Sequence, residues 1–176
     1  MPVSHNLTDG YVVYTYKTIR ILQEVFMENN TEIIEKLLEK DCYIIDFLPE
    51  TVSRSSNGQF FDVEHYWLNI KKHSIIKDKF VCVILKLMCF YHMLILWNGW
   101  IDKPKPELIE NTVMEIMANH SGTLNCLFPD EHMLLVFDCD CLNLSVYNPP
   151  KKARLLLKQI ACSEGLFWRK SQNIML

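Results

Sequence analysis

The stretch HMLLVFDCDCLNLSVY, residues 132–147, decides the fold class. Two apolar runs flank a short polar centre, and each run alternates as a strand with one face in a core would. Taking residues 138–141 as a four-residue hairpin loop sets Phe137 opposite Leu142, Leu135 opposite Leu144 and Met133 opposite Val146. Every pair on that face is apolar, while the other face sets Val136 against Asn143 and Leu134 against Ser145. A slip of one residue would mix the two sets, so the pattern selects its own register.

A hairpin tip also accounts for the DCDC segment without metal chemistry. Cys139 and Cys141 have one residue between them, whereas structural zinc sites place two to four there. On a strand the two thiols would point to opposite faces, and His132 would stand about 20 Å away along the same strand. No metal and no cofactor is expected.

Working outward, TLNCLF (123–128) completes a three-stranded meander. A helix over PPKKARLLLKQIACSEG (149–165) follows, with Asn148 as its cap, proline in its first turn and Gly165 at its end, and LFWRK adds a last strand. Upstream, KPKPELIENTVMEIMANHSG (103–122) reads as a helix with Pro106 in its first turn and Gly122 after its end. Residues 74–97 carry apolar side chains at helical spacing on most sides, which predicts a buried central helix of about 22 residues capped by Gly99. The competing reading begins a strand at Met93 and turns at Asn98-Gly99, with Trp97 opposite Trp100.

In the N-terminal third, the spacing predicts a helix from about Thr15 to Met27 and a second one capped by Thr31. CYIIDFLP (42–49) reads as a strand, ETVSRSSNG as a loop, and QFFDVEHYWL (59–68) as a second strand presenting Asp62, Glu64 and Tyr66 on one side. The expected architecture is α+β in a single domain over 1–176. It has N-terminal helices, a long buried central helix, and an antiparallel sheet that includes a C-terminal three-stranded meander followed by a helix.

Apolar, aromatic and cysteine residues make up 49% of the 176 residues, ample for a core, and the formal charge of −3 predicts no general attraction to nucleic acid or anionic membrane. The first residues show no basic region leading into an apolar one, so no secretory signal is read there. Seven scattered cysteines form an odd set, which suits free thiols in a reducing compartment and points to the cytoplasm. Lys86 and His92 inside the apolar run 80–97 argue against a membrane span.

No glycine-rich phosphate cradle, G-x-S-x-G or H-E-x-x-H occurs. Cys42, Cys82, Cys89 and Cys126 read as core thiols, and Cys139 and Cys141 as the exposed ones. Asp46 with Asp62 and Glu64 faintly resembles the acidic pair of a metal-dependent nuclease, but the required lysine is missing from EHY (64–66). No spacing identifies a catalytic residue. Lys151, Arg154 and Lys158 line one side of the last helix around Leu155, and such cations near a helix N-terminus oppose its dipole.

These observations predict a small non-catalytic interaction or regulatory protein, of inhibitor or immunity type, that binds another protein. Its contact residues are Lys151, Arg154, Leu155 and Lys158, together with Asp62, Glu64 and Tyr66. The alternatives are a hydrolase with a Cys/His or carboxylate site assembled from distant segments, and a nucleic-acid binder using the basic face of the last helix.

Overall fold

The computed structural model describes residues 16–53, 55–68, 73–139 and 142–171. In chain order these form α1 (Tyr16–Leu38), β1 (Cys42–Asp46), α2 (Phe60–Leu68), α3 (His73–Met88), β2 (Leu94–Leu96), β3 (Trp100–Asp102), α4 (Pro106–Asn119), β4 (Thr123–Phe128), β5 (Met133–Asp138), β6 (Asn143–Tyr147), α5 (Lys151–Ser163) and β7 (Phe167–Lys170). The chain falls into two compact units, one ending at Ile33 and one beginning at Ile34, so the boundary lies within α1. The second unit holds all seven described strands in one antiparallel sheet of order β3-β2-β4-β5-β6-β1-β7. The fold is α+β, as the sequence predicts. No helix among the described residues is long and apolar enough to cross a membrane.

One face of the sheet forms the core. Leu124, Cys126 and Phe128 of β4, Met133, Leu135 and Phe137 of β5, and Leu144 and Val146 of β6 all belong to one buried cluster. The same cluster takes Ile76, Phe80, Ile84 and Leu87 from α3, Ile109, Val113 and Ile116 from α4, and Ala153, Leu157 and Ile160 from α5. The rings of Phe80 and Phe137 lie 5.8 Å apart across the helix–sheet contact. Each fully buried side chain of this size contributes about 1.5–3 kcal/mol relative to exposure. Across the other face, Leu94, Leu127 and Leu134 stand in register on β2, β4 and β5 and are also buried.

The meander keeps the predicted faces but not the predicted partners. Phe137 faces Leu144 and Leu135 faces Val146, two residues on from the expected pairing. A shift of two returns every side chain to its own face, so apolar matching alone does not distinguish the two registers. Six residues, 138–143, separate the last facing pair, and Asp140 and Cys141 among them lie outside the described residues.

Four local expectations are corrected. The two N-terminal helices are one: residues 16–38 contain no glycine or proline, and Thr31 is inside the helix with its hydroxyl donating to the Met27 carbonyl at 2.9 Å. The predicted start at Thr15 lies outside the described residues. Residues 60–68 are helix, not strand. The half-buried positions of α2 are Phe60, Glu64, Trp67 and Leu68, a spacing of four, three and one that only a helix places on one side. The buried helix α3 ends at Met88 rather than near Trp97, and the Asn98-Gly99 hairpin takes the rest. Leu96 faces Trp100 across a loop of Trp97, Asn98 and Gly99, in which Asn98 (φ 51°) and Gly99 (φ 132°) supply the positive dihedrals. Asn148 does not cap α5. Its side-chain amide donates to the His132 carbonyl at 2.8 Å, and Pro150 occupies the cap.

Gly122 joins α4 to β4 at φ +94°, and a Cβ there would stand 2.9 Å from Cζ3 of Trp97. Both the dihedral and the ring exclude a side chain. Gly122→Ala is therefore expected to lower unfolding stability by about 1–3 kcal/mol, read as a shift in the urea midpoint at unchanged slope.

Candidate functional site

Two places on the second unit bring potentially functional side chains together. The first is a cavity of about 310 Å³ beyond the end of β1. Asp46 closes that strand opposite Phe167 of β7, and Arg169, two residues on, is its diagonal neighbour on the same face. Arg169 Nη2 donates to Asp46 Oδ2 at 2.6 Å, and the Leu48 amide donates to Oδ1 at 3.0 Å. Asp46 is largely buried, and both of its oxygens are held, one by charge and one by backbone. Glu50, from the loop after β1, and Glu64, from α2, also line the cavity, with Phe47, Leu48, Phe60 and Leu142 as apolar wall.

Of the three predicted α2 residues, only Glu64 reaches this cavity. Asp62 and Tyr66 are exposed on other sides of the helix, because successive even positions on a helix diverge by about 200° instead of sharing a face. Asp46 and Glu64 do converge, but no histidine lines the cavity. Among the described residues no three His, Cys, Asp or Glu side chains gather to hold a metal ion.

The cysteines divide differently from expectation. Cys89 and Cys162 are the exposed thiols, and Cys139 is half-buried against the core; Cys141 lies outside the described residues. Cys89 follows the true end of α3, so it escapes the buried helix in which the sequence reading placed it. Complete burial pushes the Cys126 thiol far above its ordinary range, and desolvation also raises Cys42 and Cys82. Those three shifts oppose thiolate formation at neutral pH. Among the histidines, His92 Nε2 lies 2.5 Å from Asp102 Oδ1 at the hairpin's open end, and that contact holds the Asp102 carboxyl below its usual range.

The second place is α5 and the end of α3. Lys151, Lys152 and Lys158 are exposed, but Arg154 is not part of a free basic stripe. Its Nη1 donates to the Tyr43 hydroxyl at 2.8 Å, and its guanidinium carbon lies 5.6 Å from the centre of that ring. Tyr43 in turn stacks on Trp168 at 5.0 Å. Arg154 thus ties α5 to β1 and β7. Leu155, beside it, points outward at 64% exposure. An open groove of about 460 Å³ runs between the end of α3 and α5, with Phe90, Leu156 and Ile160 in its lining and Lys86 at its margin. Lys86 bonds to the Glu164 carboxylate and the Ser163 hydroxyl, which joins the end of α5 to α3. Phe90 is 62% exposed and was not anticipated as a surface residue. Only the chain leaving the helix at Met88 brings it out.

Comparison with protein-family models, with curated proteins and with solved structures yields no match to this chain.

Two outcomes follow from the geometry. Arg154→Ala removes one hydrogen bond and one cation–ring contact and is expected to cost about 1–2 kcal/mol of stability. Leu155→Ala should stay within about 0.5 kcal/mol of wild type, both read by chemical denaturation. In the native protein, Cys89 and Cys162 should react promptly with a chromogenic disulfide reagent, and Cys126 only after unfolding. Peptide mapping of the modified thiols checks the assignment.

Proposed function

We propose that this protein is a non-catalytic binding domain that docks an acidic, amphipathic helix of another protein into the groove between α3 and α5. The observation that carries this reading is the pairing of outward apolar side chains with one sign of charge. Phe90, 62% exposed, lines the groove with half-buried Leu156 and buried Ile160, and Leu155, 64% exposed, stands on the adjoining side of α5. The sequence of α5, KKARLLLKQIACS, contains no acidic residue, and its three lysines are all exposed. An apolar centre with a polar, charged margin is the common anatomy of a protein interface. A helix with two apolar residues three or four positions apart, flanked by aspartate or glutamate, matches it in shape and charge.

With Arg154 held by Tyr43, the remaining cations of α5 are Lys152 on the groove side and Lys151 and Lys158 on the side of Leu155. This favours a protein segment over a phosphate backbone, which would reward a denser row of cations. A reducing compartment such as the cytoplasm suits the free and exposed Cys89 and Cys162.

Selection of a displayed library of helical peptides on the whole protein tests the reading. Enriched sequences should be acidic and amphipathic, with binding that weakens as salt rises. The variant carrying Phe90→Glu and Leu155→Glu should melt within about 2 °C of wild type, since both positions are exposed. It should bind the selected peptides at least about tenfold more weakly. Enrichment of basic or uncharged sequences, or binding indifferent to the two substitutions, would overturn the proposal.

A further inference from the structure

The cavity beyond β1 has a chemistry of its own, independent of the α3–α5 groove. Its floor is the Asp46–Arg169 ion pair, in which each charge neutralises the other. That leaves Glu50 and Glu64, which have no ion-pair partner among the described residues, facing a cavity lined also by the apolar Phe47, Leu48, Phe60 and Leu142 and by Thr51, Val52 and Asn143. Glu64 is half-buried, and Phe60, one helical turn earlier, stands on the same side of α2. A volume of about 310 Å³ reaches the lower end of the range in which small organic groups are held.

We propose that this cavity binds an organic cation with an apolar stem, an alkylguanidinium or alkylammonium group. The cation would sit between the Glu64 and Glu50 carboxylates, and the stem against the leucine side chains. The faces of Phe60 and Phe47 would favour a positive charge beside them. An anion is disfavoured twice, since Asp46 already occupies Arg169 and the two glutamates would repel it. The group can come from an arginine or lysine side chain of a second protein, or from a free small amine.

Amide chemical-shift mapping of the whole protein with butylguanidinium chloride tests this, with sodium butyrate as the opposite-charge control. Saturable shifts are expected at residues 46–52, 60–64 and 142–143, with no comparable response to butyrate. Glu64→Gln should weaken butylguanidinium at least about fivefold, and the milder Glu50→Gln, at an exposed position, provides a second reading that unfolding cannot imitate. Phe90→Glu should leave the affinity unchanged, which separates failure here from failure of the docking proposal. Acetyl-arginine methylamide distinguishes the sources: tighter binding than butylguanidinium points to a protein side chain, and weaker binding to a free amine. Non-saturating shifts spread over all exposed acids, or an affinity equal in Glu64→Gln and wild type, would overturn the assignment.

Discussion

The structure depends on the commitment of one sheet face to complete burial. Alternate residues of β4, β5 and β6 on that face, from Leu124 to Val146, are shielded from water by α3, α4 and α5. A strand shifted by one residue would place Asn125, Ser145 or Asn143 in that layer, each without the partners a buried polar group requires. The strand faces are therefore fixed before any loop is specified. The helices need only present apolar stripes to a surface already defined. Among the buried polar side chains, Lys77 of α3 meets Glu110 of α4 at 2.9 Å, whereas Thr112 Oγ1 has no hydrogen-bond partner among the described residues.

That constraint explains what was legible in the sequence. The meander follows from the alternation of its core face. Helices α4 and α5 follow from periodicity with proline at one end and glycine past the other, because each has one wet side and one dry side over enough residues to show its period. The failures share a cause as well. In the run from Phe80 to Trp97 nearly every residue is apolar, so the pattern carries no period, and the change from helix to strand is set by the sheet that β2 joins. In α2, nine residues rich in aromatics satisfy both a two-residue and a 3.6-residue repeat. Tertiary contacts of Phe60, Trp67 and Leu68 then decide between them. The meander register escaped for a different reason: a shift of two preserves every facing class.

The candidate sites were legible only in part. Glu64 and Leu155 were found because charge or apolar character stands out against its surroundings. Phe90 was hidden by the misplaced helix end. The convergence of Asp46, Glu64 and Arg169 required the β1–β7 pairing, which joins residues 123 positions apart and leaves no local trace. Net charge hides a further feature: the total of −3 is mild, yet the cavity beyond β1 carries Glu50 and Glu64 without an ion-pair partner among the described residues, while the charged residues of α5 are all cations. Composition sums over the surface, whereas recognition depends on where the fold separates the signs.

Arg154 and Leu155 make the same point at adjacent positions. From sequence they formed one surface, a cation beside an exposed apolar side chain. The fold separates them: Arg154 turns inward to the Tyr43 hydroxyl and ring, where its charge stabilises the contact between α5 and the sheet. Leu155 turns outward, where 64% exposure leaves it little part in core packing. A residue whose chemistry is accounted for by its own fold offers weak grounds for inferring a partner. Leu155 and Phe90 are apolar where the core gains little from it, and a single such residue would be unexceptional. Phe90 in the groove with Leu156, and Leu155 beside lysines that no acid on the same helix balances, are two such residues near one helix, a composition folding alone does not explain.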